Sequence, residues 1–80
     1  MNKRIGVIGI VIDDRRNSAP QVNEILSNHS KLILARMGLP CKEQSVSVIS
    51  LIVEASTDDV GAITGKLGML QGVRVKSLMV

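Results

Sequence analysis

The 80-residue chain contains no Phe, Tyr or Trp. Its core must be assembled from Val, Ile, Leu, Met and Ala alone. A folded monomer of this size exposes roughly 4,700 Å², against roughly 12,500 Å² for the unfolded chain. Burial on that scale only just offsets the cost of ordering the chain, about 1.5 kcal/mol per residue. Small chains often add a covalent or metal staple. Cys41 is the only cysteine and His29 the only histidine. An internal disulfide is therefore excluded, as are zinc sites of four cysteines or of two cysteines and two histidines. Tight packing, oligomerisation or both must supply the stability.

Composition also narrows the classes of function. Hydrophobic residues make up 45% and charged residues 21%, which describes a globular chain rather than a disordered one. The net charge of +3 is spread along the sequence. With no aromatic platform for stacking bases, it argues against direct nucleic-acid binding. The longest apolar run, Ile5 to Ile12, falls far short of the ~20 residues of a membrane-spanning helix. Asp13, Asp14, Arg15 and Arg16 follow it directly, where a signal peptide would need small residues for cleavage. The expectation is one cytoplasmic domain over residues 1–80, with its thiol reduced and no membrane partner.

Periodicity gives six elements. Ile5 to Asp13 reads as a strand. Asp13 to Asn17 reads as a loop, and Ser18 with Gln21 as a capping box before a helix from about Ala19 to His29. Lys31 to Met37 reads as a second strand, ended by Gly38, Leu39 and Pro40. Ser45 to Ala55 is a third strand. Ser56 or Thr57 caps a second helix whose apolar stripe is Val60, Ile63, Leu67 and Leu70. Gly72 ends that helix, and Val73 to Val80 is the fourth strand.

The order strand, helix, strand, strand, helix, strand is the α+β ferredoxin-like βαββαβ arrangement: a four-stranded antiparallel sheet with two helices on one face. The first and third strands should be central, because both are apolar on both faces. The second and fourth should be edges, protected by Lys31 and Arg36 and by Arg74 and Lys76. Helices on one face leave Val and Ile exposed on the other, and a contiguous apolar patch marks an interface. A homo-oligomer, dimer or tetramer, is expected.

The chemical motifs are sparse. Gly61, Gly65 and Gly68 lie in GAITGKLG, which misses the glycine spacing and the Ser or Thr of a phosphate-binding P-loop. Close packing of the helix on the sheet or on a partner helix is the expected reason for these glycines. His29 and Cys41 cannot make a metal site alone; further ligands would have to come from Asp13, Asp14, Met37 or a second subunit. No nucleophile and base can be paired. Acylphosphatases share the predicted fold but need a glycine-rich loop after the first strand, and Asp13 to Asn17 has no glycine. The chain reads as a non-enzyme with no assignable cofactor.

The segments Arg36-Met37-Gly38-Leu39-Pro40, Ser47 to Val53, Gly61 to Gly68 and Gly72 to Lys76 together resemble the iron-only hydrogenase system regulator family. The resemblance extends to Lys3-Arg4-Ile5-Gly6-Val7 and Gln21 to Leu26. That family is similar to ACT domains and to the C-terminal domain of nickel-responsive repressors. The resemblance implies an ACT-like domain that binds a small effector or metal at a subunit interface and signals to a regulatory or hydrogenase-maturation protein. Neither an amino-acid nor a nickel ligand carries over. The ACT loop glycine is absent, its place taken by Arg16-Asn17-Ser18, and His29 stands alone.

The expected function is a small-ligand-sensing, ACT-like homo-oligomer regulating an iron-only hydrogenase system. The alternative is a metal- or cluster-handling accessory protein for hydrogenase maturation, using Cys41 across a symmetric interface. The expected ligand-binding residues are Asp13, Asp14, Arg15, Arg36 and Gly38. Arg15 and Arg36 would pair an anionic ligand through charge-assisted bonds.

Overall fold

The computed structural model describes residues 3–13 and 15–80, with the side chains of residues 15–17 outside that description. Its elements are β1 (Arg4–Ile12), α1 (Arg15–Asn28), β2 (Ile33–Cys41), β3 (Val46–Ala55), α2 (Thr57–Gly68) and β4 (Val73–Met79). Short 3-10 turns, Ser30–Leu32 and Lys42–Gln44, flank β2. The sheet is antiparallel in the order β2-β3-β1-β4. The ferredoxin-like topology and the placing of β1 and β3 at the centre are as the sequence implies.

Period-two alternation sorts the central strands. Ile8, Ile10 and Ile12 of β1, and Ile49, Leu51, Val53 and Ala55 of β3, are buried beneath the helices. Val22 and Leu26 of α1 and Val60, Ile63 and Leu67 of α2 close the same core. Ile5 and Val7 of β1 and Ile52 of β3 point away and are exposed.

Three sequence-based expectations need correction. The helix α1 begins at Arg15, before the expected Ala19. Ser18 is therefore no cap. It is buried inside the helix and its hydroxyl donates to the Gln71 carbonyl, tying α1 to the turn after α2. Pro20 consequently lies in the second turn, where it withholds one backbone hydrogen bond.

The second correction concerns β2, which starts at Ile33 and runs through Gly38, Leu39 and Pro40 to Cys41. An edge strand tolerates proline because one side of its backbone needs no partner. Lys31 falls in the turn before the strand, so the β2 edge keeps only Arg36 as a charge.

The third concerns the glycines of α2. A Cβ at Gly61 or Gly65 would meet nothing within 4 Å, so neither packs the helix on the sheet; Gly68 alone comes near a side chain, Val75. Gly65→Ala is expected to stabilise the fold by about 0.5–1 kcal/mol, because alanine fits the helical backbone and has the higher helix propensity. Urea unfolding measures it; an unchanged or lowered midpoint would mean that something occupies this face.

The N-terminus of α2 conforms to expectation. Ser56 accepts from the Asp59 amide at 3.1 Å, and the Asp59 carboxylate accepts from the Ser56 amide at 3.3 Å, a capping box that satisfies two exposed donors. Gly72 adopts a left-handed φ of 72° at the entry to β4, and its carbonyl accepts from the Asp13 amide at 2.7 Å.

Candidate functional site

A shallow groove of about 200 Å³ runs between α1 and the helix-side face of β2. Ile12, Ala19, Pro40 and Ile49 give it apolar walls, and Asn23, Arg36 and Ser47 supply its polar groups. Its position follows from the strand register. Arg36 pairs with Leu51 and Gly38 with Ile49, so both face the helices. Arg36 reaches across to α1, where its Nη2 donates to Asn23 Oδ1 at 2.5 Å. At Gly38 a Cβ would meet nothing within 4 Å, so its lack of a side chain leaves the groove open.

The structure thus brings Arg36 and Gly38 together and separates Asp13 from them. Asp13 turns to the other edge of the sheet, where its carboxylate accepts from Arg74 Nη2 at 3.0 Å and Nε at 3.1 Å. That bidentate pair joins the end of β1 to β4 and lies two strands from β2. Asp14 and the Arg15 side chain fall outside the described residues. Asn23 and Ser47 were missed. Asn23 carries a helical signal, standing four residues after Ala19 on the same face of α1. Ser47 carries none until Pro40 is recognised as its strand partner.

A larger hollow of about 620 Å³ lies around β4. It takes in Gly9, Val11, Arg74 and Lys76 from one face of the sheet and Gly68, Val73 and Val75 from the other. Straddling an edge strand, it is outer surface rather than a binding cleft. His29 Nε2 lies 3.5 Å from Lys66 Nζ at the helix ends, and Cys41 is half-buried at the end of β2. Among the described residues no group of three or more His, Cys, Asp or Glu is placed to hold a metal ion. No described helix is long and apolar enough to cross a membrane.

Comparison with known structures bears on the whole domain. An uncharacterized protein from Thermotoga maritima, TM1266, superimposes with a TM-score of 0.95 at 42% identity, over 99% of each chain. The ACT domain of the GTP pyrophosphokinase of Chlorobium tepidum superimposes with a TM-score of 0.81 at 23% identity, over 96% of this chain and all of that one. A more distant likeness, TM-score 0.51 at 14% identity over 95% of this chain and 89% of the other, links it to the nitrogen regulatory PII-like protein CPII of Thiomonas intermedia, bound to ADP, AMP and bicarbonate. The two latter matches show the fold, which is ACT-like. No curated protein matches the sequence. Residues 4–77 match the family model described as "TM1266-like: Iron-only hydrogenase system regulator, putative", and the chain, with its ACT-like sheet and its Arg36–Pro40 and Gly61–Gly68 segments, belongs to that family.

Proposed function

We propose that the chain is a non-enzymatic, small-ligand-sensing homo-oligomer acting in an iron-only hydrogenase system. The observation that carries this reading is the groove in which Arg36, Asn23 and the open position at Gly38 meet. Among the described residues its polar lining offers a guanidinium, an amide and a hydroxyl, from Arg36, Asn23 and Ser47. That set suits an anion, which a guanidinium and neutral donors hold through charge-assisted hydrogen bonds. The volume is below the ~300–1,000 Å³ of sites for drug-sized molecules, which suits a ligand of a few heavy atoms: a carboxylate bearing a short apolar portion. The ligand state would be read through the oligomer by a regulatory or hydrogenase-maturation protein.

Arg36→Ala is expected to weaken binding about ten- to a hundred-fold, the worth of a charge-assisted hydrogen bond of about 1.5–3 kcal/mol, while the oligomer persists. A thermal-shift screen against amino, 2-oxo and hydroxy acids, followed by titration of any hit, measures it. Equal binding by wild type and Arg36→Ala would remove Arg36 from the site. The absence of any hit in the wild type would count against an organic acid as ligand.

A further inference from the structure

We propose that two copies of this chain stack through their open sheet faces about a two-fold axis running parallel to the strands, between β1 and β3, so that β4 of each copy covers β2 of the other. The proposal rests on the homo-oligomer reading above and names its surface.

The register lays the open face out in rows across the sheet. One row is Ala35, Ile52, Val7 and Leu78; the next is Met37, Ser50, Gly9 and Lys76; the next is Leu39, Val48, Val11 and Arg74. Apolar residues fill most of these positions, and Met37 is 73% exposed, Leu78 64% and Leu39 61%. The chain exposes 5292 Å², about 600 Å² more than the ~4,700 Å² expected of a folded monomer this size. That excess is close to the ~600–1,000 Å² per partner that a standard-size interface buries.

Charge selects both the occupant and the axis. Arg74, paired with Asp13, and Lys76 lie on the β4 side of this face, Glu54 lies at one end of it beside Ile5, and the β2 side opposite the two cations is apolar, with Met37 and Leu39. An axis across the strands through the Gly9–Ser50 row would place Lys76 on its own copy, a like-charge contact. An axis along the strands places Lys76 over Met37 and Arg74 over Leu39. The aliphatic stems then cover the apolar side chains, while the Lys76 head reaches the rim and the Arg74 head stays on Asp13 of its own chain. In the middle, Ile52 meets Val7 and Val48 meets Val11 of the second copy. A second copy thus supplies apolar cover at the centre and basic stems at each side.

The stack leaves each Arg36 groove open on the outer, helix-covered side. It also makes β2 common to both sites. Arg36, Gly38 and Pro40 face the groove, and Met37 and Leu39 face the second copy.

Cross-linking of the full chain tests the geometry. In a Cys41→Ser background, Met37→Cys and Lys76→Cys are combined and treated with a short bis-maleimide. Within one chain these positions lie three strand spacings apart, about 14 Å, whereas stacked sheets are about 10 Å apart. The expected result is a covalent dimer from the double variant and none from Met37→Cys alone. Covalent dimer from Met37→Cys alone would overturn the stack in favour of β2-to-β2 edge pairing. A dimer by sedimentation that the double variant does not cross-link would overturn the stack and leave the homo-oligomer reading intact. A monomer at all concentrations would overturn both. Circular dichroism of each variant confirms that the sheet is formed.

Discussion

Ile10→Ala is expected to destabilise the domain by about 3 kcal/mol, within the 2–5 kcal/mol typical when a buried Ile is cut to Ala. Ile10 is fully buried on β1, flanked by Ile49 of β3 and Val75 of β4. No aromatic ring is available to slide into the space, and the neighbouring side chains are mostly branched and held in few rotamers. For a domain of this length, total stability is on the order of 4–12 kcal/mol, so this one change removes a large fraction. Thermal unfolding should shift down by about 12–24 °C. Val7→Ala, on the opposite face of the same strand, should cost the monomer under about 1 kcal/mol. A shift at Ile10 as small as that would mean that the helices do not close the core on this face.

Ile52→Lys is expected to convert the assembled protein to monomers. Ile52 is 43% exposed in the single chain, so a lysine there reaches water and leaves the fold near its original stability. In the stacked dimer the same position faces Val7 of the second copy. Each dimer would then bury two unpaired ammonium groups, which is far more costly than losing apolar contact alone. The dimer dissociation constant should rise at least about 100-fold, which corresponds to about 2.7 kcal/mol. Sedimentation velocity across a concentration series reads it. Assembly equal to that of wild type would place the interface elsewhere.

What the sequence made legible was the part governed by short-range periodicity. Alternation separated Ile8, Ile10 and Ile12 from Ile5, Val7 and Val11; the structure buries the first set, exposes Ile5 and Val7 and leaves Val11 half-buried. The order of strands followed, because only β1 and β3 are apolar on both faces. The Ser56 cap and the stripe Val60, Ile63 and Leu67 are likewise local signals. The errors came where a residue's meaning depends on a distant partner. Gly38, Leu39 and Pro40 look like a turn until β3 is placed beside them and their outer side is seen to be an edge. Ser18 looks like a cap until Gln71, far along the chain, accepts its hydroxyl.

The candidate site was legible by halves for the same reason. Arg36 and Gly38 alternate on one face of a strand, so their shared groove was implicit in the spacing. Asp13 adjoins Asp14 and Arg15 in sequence, which suggested a common cluster. Its bidentate bond to Arg74 depends on β4 pairing with β1 and carries no local sign. Asn23 matters only because α1 passes over β2 at that point, which a linear reading of the helix does not reveal. A Cβ at Gly61 or Gly65 would meet nothing within 4 Å among the described residues, and the structure gives no reason for them.

Native mass spectrometry of anaerobically purified protein tests the central claim most directly. The account predicts a dimer, or a multiple of it, carrying additional small-molecule mass in the wild type, and the same assembly without that mass in Arg36→Ala. A protein that flies only as a ligand-free monomer, or an assembly whose bound mass is unchanged in Arg36→Ala, would contradict it.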